Sequence, residues 1–240
     1  MNWELKTGNF LFKYRSFTPV PLIVAVFLFF KPVILPGADT LLTISGIVVM
    51  AAGEILRIIS VGYSFSGTSG RENFLRADHL NVSGIYSVVR NPLYIGNIMI
   101  YTGLLLTYSN IYALLFFDAM LIAQYYFIIL AEEDYLERTY GNEYTVYKNK
   151  VRSIIPVPGG YRKPVNRFNG VKVIFKENDS VFNALIILIM ITQYKQSITS
   201  GTFRLTAVSV GFVSVLVILY IVIKTVKSKH RGRTGTEWTR

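Results

Sequence analysis

Long apolar blocks with few charges recur along this chain, and they leave few folds open to it. They run from about Pro19 to Leu35, Leu41 to Val61, Pro92 to Tyr108, Ile111 to Ala131, Val181 to Tyr194 and Phe203 to Ile223. This is the pattern of bilayer-spanning helices, whereas a soluble core of similar size shows amphipathic stripes. The expected fold is all-α, a polytopic transmembrane helical bundle of about six spans with polar cytoplasmic segments. Lys31, Pro32 and Pro36 are expected to end the first span, because proline lacks a backbone donor. Glu54 and Arg57 lie three apart on one face of the second span and are expected to pair.

The placement of Lys and Arg sets the orientation. Lys6, Lys13 and Arg15 precede the first span, and Arg71, Arg76 and Arg90 lie between the second and third. Nine basic residues from Arg138 to Lys176 separate the fourth and fifth spans. Lys224, Lys227, Lys229, Arg231, Arg233 and Arg240 follow the sixth, while the opposite loops hold only Lys31, Lys195 and Arg204. With six spans every basic segment falls on one side, so both termini are expected in the cytoplasm. The net charge of +11 then reflects loops lying against anionic lipid, not nucleic-acid binding. The expected location is a multi-pass membrane protein, in the cytoplasmic membrane if the source is prokaryotic, with its site facing the cytosol.

The absence of cysteine excludes disulfides, thiolate catalysis and sulfur-ligated zinc, and the two histidines, His79 and His230, do not suggest a metal site. Three regions are expected. Residues 1–80 hold the N-terminal transmembrane helices and a cytoplasmic loop, 81–160 a core of a helical hairpin plus a cytoplasmic helix, and 161–240 a C-terminal helix pair with a basic tail.

Two polar segments carry the chemistry. Only Ser109 and Asn110 join the third and fourth apolar blocks, so these form an antiparallel hairpin. The start of one and the end of the other therefore meet on the same side. The first polar segment, Gly84 to Gly96, lies at that start. Asn91 followed by Pro92 reads as an N-cap and first-turn residue. With Arg90 beside it, the free backbone N–H groups would suit a carboxylate or phosphate. Gly96 permits close approach of a helix or a ligand. The plainer alternative is an ordinary helix start with Arg90 held at the lipid head groups.

The second segment, Glu132 to Arg152, begins where the fourth block ends. Tyr140, Tyr144, Tyr147 and Val151 recur at helical spacing, which an interfacial helix with head-group tyrosines would also explain. Glu132 and Glu133 are different, because acidic groups at the edge of an apolar span are costly unless they face protein or ligand. Adjacent residues on a helix diverge by about 100°, so only one of them can face a given small group.

These segments resemble the signature pair of the isoprenylcysteine carboxyl methyltransferase and phospholipid methyltransferase superfamily. The first motif, G-x-Y-x-x-x-R-[HN]-P-x-Y-x-G, is matched by Gly84, Tyr86, Arg90, Asn91, Pro92, Tyr94 and Gly96. The second, E-E-x-x-L and then G-x-x-Y-x-x-Y-x-x-x-V, is matched by Glu132, Glu133, Leu136, Gly141, Tyr144, Tyr147 and Val151. The resemblance covers about Gly84 to Pro156. It implies a methyltransferase using S-adenosyl-L-methionine, with the acceptor, a membrane lipid or prenylated substrate, arriving from the bilayer. It also implies catalytic roles for Glu132 and Arg90, and a cofactor site drawn from Gly84, Tyr86, Arg90, Asn91, Pro92, Tyr94, Gly96, Glu132, Glu133, Tyr144 and Tyr147. Arg90 and the helix start suit the donor's carboxylate, a glutamate suits its cationic end, and tyrosines suit the cation and the adenine.

Two departures bear on the acceptor. Carboxyl methyltransferases of this superfamily typically carry histidine where this chain has Asn91. They also resemble one another in an arginine about one turn before the acidic pair, where this chain has Gln124-Tyr125-Tyr126-Phe127. Two other readings stand beside the methyltransferase. An NADPH-dependent sterol-type reductase shares part of the pattern, but usually has histidine before the proline and an acidic residue after the glycine, where this chain has Asn91 and Asn97. A non-catalytic, lipid-binding membrane protein could also retain the fold.

Overall fold

A computed structural model of the chain describes residues 2–65, 75, 77–157, 159–203 and 205–234. Arg71, Arg76, Arg204 and Arg240, which enter the orientation argument, lie outside the described residues. The described residues form helices α1 (Trp3–Tyr14), α2 (Pro19–Phe29), α3 (Asp39–Tyr63), α4 (Pro92–Tyr108), α5 (Ile111–Tyr140), α6 (Asn142–Lys150), α7 (Gly170–Ser200) and α8 (Ala207–Thr234). A 3-10 turn, Ile85–Ser87, precedes α4. The fold is all-α, as expected.

The expected count of six spans is not matched by length and composition. By that measure α3, α5 and α8 are long and apolar enough to cross a membrane, and α1 with α2 makes a fourth crossing only if the bent pair is one span. The pair is bent by 81°. The third expected block is α4 itself, only 17 residues long. The fifth lies within the 31-residue α7, whose first turns carry Lys172, Lys176, Glu177 and Asp179. The first expected block also ends early. α2 stops at Phe29, ahead of Lys31 and Pro32, and the polar N-terminus forms α1.

Local chemistry explains the hairpin. Ser109 adopts a left-handed backbone (φ 60°) after α4, and its N–H reaches the carbonyls of Leu105 and Leu106. Asn110 then caps α5 by accepting from the N–H groups of Tyr112 and Ala113 at 3.0 and 3.1 Å.

Glycines set close packing between α3 and α4. A β-carbon on Gly53 would meet the Gly96 carbonyl at 2.7 Å, and one on Gly103 would meet the Gly46 carbonyl at 2.5 Å. Small residues of this kind let membrane helices approach backbone to backbone. α1 lies along α5, and its Gly8 faces the Phe127 carbonyl and Ala131. The core joins α2, α4, α5 and α7 around Tyr108, Phe117, Leu121 and Ile128. α8 touches mainly α7 and leaves its apolar side chains outward, as a lipid-facing helix should.

Candidate active site

The two motifs meet through their backbones. The Arg90 N–H donates to the Arg152 carbonyl at 3.0 Å, and the Asn91 N–H to the Ser153 carbonyl at 3.1 Å. The Val157 N–H returns to the Val88 carbonyl at 2.9 Å, and the Gly84 N–H reaches the Arg162 carbonyl at 2.8 Å. Gly84 sits at φ 61°, a conformation that favours glycine, which accounts for that motif position.

Much of the first motif is built into the scaffold. Arg90 donates from Nη1 to the Lys148 carbonyl at 2.8 Å and to the Val151 carbonyl, clamping the end of α6. Its Nη2 pairs with Glu133 at 2.5 Å, and Lys148 closes on the same carboxylate at 3.0 Å. The Lys148 ammonium is held above its ordinary range, first by its hydrogen bond to Glu137 and then by Glu133. Asn91 stands at the N-cap position of α4, but its side chain caps nothing. It donates to Ser153 Oγ at 2.9 Å instead. Gly96 admits another helix, since a β-carbon there would strike the Arg57 stem.

The tyrosine stripe turns inward, away from the head groups. Tyr144, Tyr147 and Val151 are buried with Leu80, Val82, Leu136 and Tyr140 packed around them. Tyr147 donates to the Tyr86 carbonyl at 2.7 Å, and Tyr140 to the Ala77 carbonyl at 2.8 Å. Burial pushes the phenols of Tyr86, Tyr144 and Tyr147 up, so they stay neutral.

Glu132 has different surroundings from Glu133. Tyr94, from the first motif, lies beside its carboxylate, and Arg15 at the end of α1 acts electrostatically on both. The Tyr94 ring stacks on Tyr125 at 4.6 Å. The Tyr125 hydroxyl accepts from Asn97 Nδ2 at 2.8 Å, and Asn97 Oδ1 accepts from Arg57. Arg57 therefore does not make the expected pair with Glu54. It pairs with Glu177 of α7 at 2.7 Å, and Glu54 accepts from Ser180 at 2.8 Å. Sequence reasoning misses Arg15, Asn97 and Tyr125 because the chain brings them in from three helices. The signal available for Arg57 is a charge inside an apolar span.

A polar cavity of about 370 Å³ lies where α3 ends and α7 begins, lined by Ser64, Phe65, His79, Asn166, Arg167, Asn169 and Lys172. No motif residue lines it. Lys172 donates to the Ser64 carbonyl at 2.6 Å and to Ser64 Oγ at 2.7 Å. Burial, with Lys176 near, pushes its ammonium down to about 8.

Fold and site together define an α-helical membrane protein whose two polar motifs are joined at one end of a helical hairpin. Comparison with known proteins then shows what part of the chain resembles. Residues 41–143 match the phospholipid methyltransferase family. The chain is 33% identical over 112 residues to protein-S-isoprenylcysteine O-methyltransferase of Schizosaccharomyces pombe, covering 45% of this chain and 47% of that protein. It is 32% identical over 158 residues to the Saccharomyces cerevisiae protein of the same name, covering 63% and 65%. The chain thus spans less than two thirds of either relative's length. No solved structure matches it. Over these stretches the chain is similar to the phospholipid methyltransferase family and to isoprenylcysteine O-methyltransferases. Of the two enzyme classes weighed from sequence, the matches fall on the methyltransferase side.

Proposed function

We propose that this protein transfers a methyl group from S-adenosylmethionine to a lipid or prenylated acceptor held in the bilayer, at a site opening to the cytosol. The observation that carries this reading is the meeting of the two motifs, Arg90 of the first paired with Glu133 of the second and Tyr94 beside Glu132, in a chain that resembles this superfamily. The residues present fit such a donor. Arg90 Nε is buried without a hydrogen-bond partner, so one donor of that guanidinium remains for a carboxylate. The stacked Tyr94–Tyr125 pair offers a π-face to a cation beside the Glu132 carboxylate.

When bound, S-adenosylmethionine supplies a methyl group activated on a sulfonium. The protein's part is to orient and to handle charge. In-line displacement depends on alignment, and the scaffold of Arg90, Glu133 and Lys148 fixes the hairpin end against α6. Glu132 either balances the donor's positive charge or accepts a proton from an amine or thiol acceptor. The basic segments beside the site suit a cytosolic face lined by anionic lipid.

Ligand-dependent thermal shifts test the cofactor. S-adenosylhomocysteine is expected to stabilise the purified protein while NADPH does not. Stabilisation by NADPH alone would reject the methyltransferase reading. Glu132→Gln separates the two roles. Lost turnover with intact donor binding supports the proton acceptor, and weakened donor binding supports the charge role. Unchanged binding and turnover in both Glu132→Gln and Glu133→Gln would remove the pair from the mechanism.

A further inference from the structure

A chain of contacts runs from α7 through Arg57, Asn97 and Tyr125, all outside both motifs, to Tyr94 beside Glu132. Glu177 Oε2 receives two arms of Arg57, Nε at 2.8 Å and Nη2 at 2.7 Å. The remaining arm, Nη1, donates to Asn97 Oδ1. That contact fixes which way the Asn97 amide points, because arginine has only donors to offer. Asn97 Nδ2 is then directed at the Tyr125 hydroxyl, 2.8 Å away. Tyr125 stacks on Tyr94 with centroids 4.6 Å apart and planes 28° from parallel, and Glu132 lies beside Tyr94 and two turns along α5 from Tyr125, on the same face.

We propose that Arg57 is a positioning residue for Glu132, acting through Asn97, Tyr125 and Tyr94. This rests on the reading of Glu132 as a working residue of the site. A buried ion pair is not needed merely to hold helices together, since apolar replacements often pack as well. The fork of Arg57 does what an apolar side chain cannot. It satisfies Glu177 with two arms and sets the Asn97 amide with the third. Gly96 makes room for it, since its missing β-carbon leaves the path that the Arg57 Cγ follows, 2.5 Å from where that carbon would sit. The motif glycine thus serves an arginine the motif does not contain.

Two variants separate positioning from scaffolding. Arg57→Lys keeps a cation beside Glu177 but loses the fork that also sets Asn97. Tyr125→Phe keeps the ring stack and removes only the hydroxyl. Each full-length variant is assayed with labelled S-adenosylmethionine and total membrane extract as acceptor pool, with S-adenosylhomocysteine affinity and thermal unfolding measured alongside. The expected result is a maximal rate about tenfold or more lower in both, with donor affinity and folded fraction near wild type. Rates unchanged in both variants, or lost only in proportion to unfolded protein, overturn the proposal. Glu132→Gln in the same assay keeps the two ideas apart. If it retains full turnover, the reading of Glu132 fails and takes this proposal with it. If it is inactive while both relay variants are fully active, the relay alone fails.

Discussion

Arg90 and Glu133 stand 43 residues apart in sequence and 2.5 Å apart in space, and this pair fixes the divergence of the two adjacent glutamates. With Glu133 tied to Arg90 and Lys148, helical geometry turns Glu132 toward Tyr94. The acidic pair thus divides into one structural and one candidate working carboxylate.

Breaking the structural half is expected to cost stability. Arg90→Ala leaves Glu133 buried with only Lys148 and frees the carbonyls of Lys148 and Val151. The loss of one partner from a buried pair is worth about 3–5 kcal/mol. Thermal unfolding in detergent measures it. A variant as stable as wild type, with donor affinity alone reduced, would assign Arg90 to the ligand and not the scaffold.

Gly96→Ala tests the contact between α3 and α4. Its β-carbon would lie 2.5 Å from Arg57 Cγ and 2.9 Å from the Gly53 carbonyl, so α3 and α4 must separate. Overpacking of this kind costs about 1–3 kcal/mol. Gly211→Ala, where a β-carbon meets nothing within 4 Å, is the matched control and should be neutral. Equal stability in the two variants would contradict the packing described.

Lys172 predicts a stability that depends on pH. Its ordinary value is 10.5 and its folded value is about 8, so between these the unfolded chain holds more protons. Stability should therefore rise as pH climbs from about 8 toward about 10.5, and the gain should be absent at neutral pH. Unfolding midpoints of wild type and Lys172→Met across that window check the sign. A wild-type slope that survives in Lys172→Met would assign the effect to other groups.

The orientation follows from the basic segments. A reporter fused after Arg240 and one fused before Met1 are both expected on the cytoplasmic side. Opposite sides would mean an odd number of crossings, and α7 would then have to be reassigned.

What the sequence made legible was the part carried by local pattern. The boundaries of α4 and the start of α5 follow from apolar runs punctuated by Asn91-Pro92 and Ser109-Asn110, signals that act within one turn. α1 is different. It is polar on average, and its helical state goes with the packing of Gly8 against α5. The site divides in the same way. The motif positions identify Tyr94 and Glu132. Their supports, Arg57, Asn97, Tyr125 and Arg15, come from tertiary packing that no spacing rule encodes. Two motif tyrosines, Tyr144 and Tyr147, were equally readable as ligand platform or membrane anchor. In the structure they fill a small core, with Tyr147 bonded to the Tyr86 backbone.

Methyl transfer at Glu132, as proposed, is tested by following labelled methyl from S-adenosylmethionine into a total membrane extract. Wild-type protein is expected to label a lipid-extractable or prenylated product, and Glu132→Gln is expected to label little or none. Base-labile label identifies a methyl ester, and base-stable label an N-methyl or S-methyl product. Folded, donor-binding wild-type protein that transfers no label to any fraction, or equal labelling by Glu132→Gln, would contradict the account.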